Sequence, residues 1–189
     1  MPKKVVVVGS GNAALSAGIA ALEKGANVVI YEKADKKMAG GNTKYTAGAM
    51  RFSYENGDQL IDLLKHPDDK RIKDTDFGTY TNEKFSLDLL NFNDGRPLSP
   101  EQNILVSKSF ETIQWLASHN VKFEPIYSRQ SFLKNGKHIF WGGLTLASEN
   151  EGVGLFDQEL ASFLSLGGEI HYNSPVNKLI YENNEVSGL

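Results

Sequence analysis

Val5-Val6-Val7-Val8-Gly9-Ser10-Gly11-Asn12-Ala13-Ala14 opens the chain with a β-branched run that breaks into a glycine-rich turn. Four consecutive valines predict a parallel strand buried on both faces. After the turn, Ala14, Ala17, Gly18, Ala21 and Leu22 recur at helical spacing, giving a face of small residues able to lie close to a sheet. Gly25 is placed to end that helix, and residues 26–31 read as a second strand. The pieces predict a right-handed βαβ unit over residues 3–33. Gly9, Ser10, Gly11, Asn12, Ala13 and Ala14 fit G-x-G-x-x-A at its first turn. Gly9 permits the tight turn, Gly11 lets a pyrophosphate approach the backbone, and Ala14 lets the helix pack on the strand. The helix start adds free N–H groups and a positive dipole end. Glu32 follows Gly11 by about 20 residues, where its carboxylate can accept hydrogen bonds from a ribose and disfavour a 2′-phosphate. A turn selected for packing alone is the bland alternative; strand, small-faced helix and Glu32 together argue for a dinucleotide, either NAD or FAD.

Residues 34–50 are rich in Gly, Asn and Thr and read as a long loop, and loops of that length are usually functional. Its Gly40-Gly41-Asn42-Thr43 lets backbone N–H groups turn inward as an anion-binding concavity, with Asn42 and Thr43 adding side-chain donors. A second contact here suits FAD, whose isoalloxazine must be anchored beyond the pyrophosphate. An ordinary surface turn is the competing explanation.

The rest of the chain reads as mixed α/β. Two short helical patterns near 59–65 and 82–90 fall in a variable stretch, 54–95, that carries no functional signal. Ser99-Pro100-Glu101-Gln102 predicts a capping box, with Val106, Phe110, Ile113 and Ala117 as the buried stripe of the helix it opens. A short strand is expected at 121–123, and Asn135-Gly136 predicts a tight hairpin. A helix over 154–166, with Phe156, Leu160 and Phe163 on one face, precedes strands at 169–172, 176–181 and from 186 onward.

Composition narrows the chemistry. The chain has 189 residues, enough for one domain or slightly more, with 40% hydrophobic and 23% charged residues, an ordinary globular balance. A net charge of −3 gives no field to attract nucleic acid as a whole. With no cysteine, disulfides, thiolate metal sites and cysteine nucleophiles within this chain are excluded, so redox chemistry requires a bound cofactor. No metal site is expected. Glycines and Asn12 interrupt the apolar run too early for a signal peptide, and no stretch is long enough to span a bilayer, so cytoplasmic residence is the default expectation.

Gly9 to Gly18, Tyr31-Glu32-Lys33, Gly40-Gly41-Asn42-Thr43-Lys44 and Thr46-Ala47-Gly48 resemble the flavoprotein family containing fumarate reductase and succinate dehydrogenase subunits, tricarballylate dehydrogenase and ketosteroid dehydrogenases. The continuation Thr46-Ala47-Gly48-Ala49-Met50-Arg51 looks most like the tricarballylate dehydrogenase branch. Gly142-Gly143 and Gly152-Val153-Gly154-Leu155 add to the likeness. The resemblance implies a Rossmann-like FAD-binding fold with a parallel sheet, helices and an added hairpin region. It also implies cofactor contacts from Lys33, Thr46, Ala47 and Gly48, and an adenine contact from the backbone of Val176. Family members continue through a substrate-capping domain and a final Gly-rich segment, so this chain reads as the amino-terminal part of the domain. No histidine precedes His66, which makes noncovalent FAD the expectation. His138 echoes a His-Arg-x-x-Gly-Gly element of the fumarate reductases with Ile139 in place of the arginine; a merely solvent-facing histidine is the alternative. Arg51 can meet a substrate carboxylate or pair with a nearby acid.

The function implied is a dehydrogenase or reductase acting on a carbon–carbon bond beside a carboxylate or ketone of a small-molecule substrate, with its electron partner unidentified. A catalytically incompetent nucleotide-binding fragment and an NAD-dependent dehydrogenase are the alternatives.

Overall fold

The computed structural model describes residues 2–189, which fall into two compact units: residues 2–46 with 152–189, and residues 47–151. The first unit opens as strand Lys4–Val8, helix Asn12–Glu23 and strand Asn27–Tyr31. The two strands pair in parallel, Val5 opposite Val28 and Val8 opposite Tyr31, and Asn27–Tyr31 pairs in parallel on its other side with Glu169–His171. Asn27–Tyr31 is therefore the central strand of three. Gly25, at φ +76°, ends the helix and returns its N–H to the Leu22 carbonyl at 2.8 Å.

Four expectations about this unit are corrected. The valine strand is not buried on both faces: it lies at the edge of the three strands, with Val8 55% exposed. The run of valines fixes β-structure, but the cover on each face is a tertiary matter. The buried stripe of the opening helix is Leu15, Gly18 and Ile19, while Ala17 is exposed. Gly18 is where the small residue matters, because a Cβ there would come within 2.8 Å of the Phe163 ring. That ring belongs to helix Glu151–Ser165, which starts three residues earlier than expected and is stopped by Gly167 at φ +88°. Residues 175–179 form no strand, so Val176 sits in irregular chain, and only Ile180–Glu182 and Glu185–Gly188 form the terminal hairpin.

The second unit contains two small sheets. Leu146–Ser148 pairs antiparallel with Ala49–Met50 on one side and Phe123–Pro125 on the other. Lys137–Phe140 pairs antiparallel with Ser131–Lys134 and in parallel with Thr75–Asp76. Asn135 and Gly136 turn that hairpin with positive φ at both positions, as the Asn-Gly pair predicts. Helix Asn82–Phe92 occupies the second stretch read as helical, whereas in the first only the four-residue helix Asp58–Ile61 forms and residues 62–65 leave it; helix Pro100–Ser118 begins with both hydrogen bonds of the Ser99–Gln102 capping box. Its buried residues are Val106, Ser109, Ile113 and Leu116; Phe110 and Ala117 are half-buried. Phe52, Tyr54, Leu60, Phe123 and Leu146 form the centre of the core. Tyr54 brings its hydroxyl with it by donating to the Phe77 carbonyl at 2.7 Å. No described helix is long and apolar enough to cross a membrane.

Candidate dinucleotide site

The first glycine turn and the second lie against each other in the first unit. Gly9 has φ +87°, a conformation that side-chain-bearing residues rarely adopt, and donates to the Tyr31 carbonyl at 2.8 Å. This ties the start of the turn to the end of the central strand, where Glu32 follows. Ser10 is 1% exposed, and its hydroxyl joins three segments: it donates to the Glu32 carboxylate at 2.5 Å and accepts from the Gly40 N–H at 3.0 Å. Glu32 also accepts from the Ala34 N–H at 2.8 Å. Burial pushes the Glu32 carboxyl up, but the hydrogen bonds from Ser10 and Ala34, with Lys33 alongside, outweigh it and hold the group below its ordinary range. Glu32 is therefore a carboxylate near neutral pH, able to accept further hydrogen bonds.

The second turn closes over the first. Gly40, at φ +110°, leads into the 3-10 turn Gly41–Tyr45, and the Thr43 hydroxyl oxygen accepts from the Asn12 N–H at 2.9 Å. Gly11 is confined by this approach: a Cβ there would lie 3.3 Å from Thr43 Oγ1 and 3.5 Å from the Gly40 carbonyl oxygen. Asn42 is exposed on the same turn. Thr46 follows, donating from its hydroxyl to the Thr43 carbonyl at 2.9 Å and accepting from the Gly152 N–H at 3.1 Å. Gly152 is needed there, because a Cβ would sit 2.0 Å from the Thr43 carbonyl oxygen. Lys44 lies 5.0 Å from the centre of the Phe156 ring and donates to the Lys37 carbonyl.

Of the residues singled out in the sequence, Gly9 to Ala14, Glu32, Lys33 and Gly40 to Thr46 thus belong to one unit, and their two loops share hydrogen bonds. Ala13 and Lys33 are exposed and Ala14 half-buried. Val176 lies in the same unit and lines a cavity of about 650 Å³ with Tyr31, Val6 and Ser174. The Ser174 N–H donates to the Glu32 carbonyl at 2.9 Å, which anchors that segment beside the carboxylate residue. Ala47, Gly48, Arg51 and His138 lie in the second unit. Gly48 has φ +64°, and a Cβ on it would meet Ser148 Oγ at 2.2 Å. Arg51 donates to Asp88 at 3.1 Å and to the Tyr80 hydroxyl at 2.8 Å. His138 is half-buried, 4.7 Å between ring centres from Tyr127.

Sequence reading missed Glu159. It is fully buried, accepts from the Ser16 hydroxyl at 2.9 Å and faces the side chain of Asn12. The Asn12 carboxamide, oriented with its nitrogen toward the acid, donates to both carboxyl oxygens at 2.9 and 3.0 Å. A signal was available: Phe156, Glu159, Leu160 and Phe163 share one helical face, so an acid stands within an apolar stripe.

The family model of the FAD binding domain matches residues 4–189. The chain belongs to that family. The FAD binding domain described here is 39% identical over 64 residues to a fumarate reductase (cytochrome) of Shewanella frigidimarina, an alignment covering 34% of this chain and 11% of that protein. Its fold is shared with the 3-ketosteroid-Δ4-(5α)-dehydrogenase of Rhodococcus jostii RHA1, at a TM-score of 0.65 and 17% identity over 96% of this chain and 40% of the other. It is shared too with a flavocytochrome c3 fumarate reductase in its open conformation, at a TM-score of 0.63 and 24% identity over 97% of this chain and 28% of the other. The chain thus spans less than half the length of these relatives.

FAD is the cofactor of this domain, and the residues present fit it. The amides of Gly11 and Ala13 donate to no protein group among the described residues and stand at a helix start, where a diphosphate is favoured. The buried Glu32 carboxylate supplies the acceptor that a ribose requires.

Proposed function

We propose that this domain holds FAD noncovalently for a dehydrogenase or reductase that acts on a carbon–carbon bond beside a carboxylate or ketone. The observation that carries the reading is the Ser10 hydroxyl, which bonds to Glu32 and to Gly40 at once and so makes two phosphate-binding turns into one site. Gly9 to Ala14 receive the diphosphate, Glu32 the adenosine ribose, and the Val176 segment the adenine side. Gly40 to Thr43, with Thr46, Ala47 and Gly48, hold the flavin side. Bound flavin supplies hydride exchange with a substrate carbon. The residues of this chain bind and orient it and keep the diphosphate at the helix start. Arg51 and His138 are the candidates on the substrate side; a substrate carboxylate would have to compete with Asp88 for the Arg51 guanidinium.

Within this reading the run Thr46 to Arg51 supports the tricarballylate dehydrogenase branch of the family, in a protein resident in the cytoplasm. The test is to purify the full-length protein, record its visible spectrum and titrate the stripped protein with FAD and with NAD. Flavin absorbance released by mild acid, and uptake of FAD in preference to NAD, is the expected result. No bound flavin and no uptake of FAD refutes the proposal, and tight binding of NAD alone replaces it with a nicotinamide-dependent dehydrogenase.

A further inference from the structure

We propose that Glu159 is a positioning residue of the dinucleotide site, acting through Asn12, and that it takes up a proton from solvent when the diphosphate of FAD binds. The inference rests on the FAD-binding role given above and adds to it a buried acid that no glycine signature contains.

The geometry places Glu159 one residue behind the phosphate-binding turn. Asn12 is the first residue of the opening helix, its N–H bonded to Thr43 and its side chain bonded to both oxygens of Glu159. Ser16, one helical turn further on, adds a bond at 2.9 Å. The acid therefore fixes the rotamer of Asn12, the residue whose N–H meets the Gly40 loop at Thr43. Its partners are neutral donors, and no cation pairs with it among the described residues. The charged groups of the elements around it are Glu151 and Asp157 on its own helix, Glu23 on the opening helix, Lys44 on the 3-10 turn, and Lys4, Glu169 and His171 on the sheet. None of these shifts it. Burial alone drives the carboxyl up to about 7, opposed by the Ser16 bond.

A buried acid in this state responds to a nearby anion. The diphosphate brings negative charge to the helix start that Asn12 occupies, next to the buried acid, and like charge disfavours the ionised carboxyl. Linkage is reciprocal: an anion that tightens the hold of Glu159 on a proton is itself bound more tightly when that proton is present. Affinity for FAD thus falls as pH rises through neutrality, and binding removes protons from the buffer.

Calorimetric titration of the full-length, flavin-free protein with FAD, in buffers of differing ionisation enthalpy near pH 7.5, measures this directly. If the anion moves the carboxyl by one pH unit, uptake is about half a proton per FAD, and affinity changes up to about tenfold between acid and alkaline limits. Glu159→Gln keeps hydrogen bonds to Ser16 and Asn12 and is expected to bind FAD with no uptake and no pH dependence. Glu159→Leu, which cannot hold Asn12, is expected to lose affinity throughout. An infrared difference spectrum of the unaltered protein supplies a check that no variant's folding affects: a protonated-carboxyl band must grow when FAD is added. Binding with no proton uptake, uptake that persists in Glu159→Gln, or no carboxyl band overturns this inference and leaves the FAD role standing. Failure of the unaltered protein to bind FAD overturns both.

Discussion

Replacing Glu159 with glutamine should make the protein more stable, and more so at alkaline than at acid pH. The side chain is fully buried, and its carboxyl titrates at about 7 instead of the ordinary 4.5. A carboxyl whose folded value lies above its unfolded value binds its proton more firmly in the folded state. Stability is therefore greatest below the unfolded value and declines as pH rises from there through the folded value. Moving from 4.5 to about 7 at 1.36 kcal/mol per pH unit makes the loss about 3 kcal/mol once ionisation is complete, and about 1 kcal/mol near pH 5. Glutamine has no charge to desolvate, keeps an oxygen for Ser16, and can pair amide to amide with Asn12 once that carboxamide turns over. Urea unfolding of the flavin-free protein near pH 5 and near pH 8 gives the two differences. The variant should exceed the parent by about 1 kcal/mol in acid and about 3 kcal/mol in alkali. An equal difference at both pH values, or a variant less stable than the parent near pH 8, would refute the reasoning, because the buried acid would then be neutral throughout or held ionised by a partner.

Gly152→Ala should expel the 3-10 turn from its place, since the new methyl group falls 2.0 Å from the Thr43 carbonyl oxygen; a loss of about 1–3 kcal/mol in urea unfolding is expected, together with weakened FAD binding by fluorescence titration. Ser10→Ala leaves Glu32 without its shortest donor and the buried Gly40 N–H without an acceptor, which should cost about 1–3 kcal/mol at neutral pH. Because the Glu32 carboxyl is depressed in the folded state, its contribution is present above the unfolded value and lost as pH falls through the folded one, so the gap between parent and Ser10→Ala should narrow in acid. Asp88→Asn should let Tyr80 ionise at lower pH than the about 12 to which burial and then Asp88 drive it, seen as earlier growth of tyrosinate absorbance in an alkaline titration.

What the sequence disclosed of the fold was whatever local chemistry decides. Gly25, the Ser99 capping box and Asn135-Gly136 each fix a few φ/ψ values whatever surrounds them, and each element boundary they mark is where the structure puts it. Exposure was less legible. Val6 and Val8 have the β-branched side chains of an interior strand, yet whether another layer covers them depends on chain elsewhere. The stripe of the opening helix shifted for a related reason: alanines drew the reading, but Leu15 and Ile19 carry the apolar area, and Gly18 needs to be small against a ring contributed by Phe163. Glu159 stands out locally only as an acid within an apolar stripe; its role was not legible because its partner Ser16 is 143 positions away, and no local pattern pairs an acid with a serine at that separation.

The hydrogen-bond pattern also alters how the first signature works. A helix start is often credited with all of its free N–H groups as phosphate donors, but here the Asn12 N–H is already given to Thr43. In the proposed reading the donors left to a diphosphate are those of Gly11 and Ala13, and the Asn12 group holds the second turn instead. With Ser10 binding Glu32 and Gly40, and Asn12 binding Thr43 and Glu159, two residues of the first turn fasten it to Glu32, to the Gly40 loop and to Glu159. Such a site is organised before the cofactor arrives, so the ordering cost of binding falls on FAD and little on the protein. Ser10 and Asn12, at positions the G-x-G-x-x-A pattern leaves unspecified, are therefore where this chain places the bonds that decide its cradle.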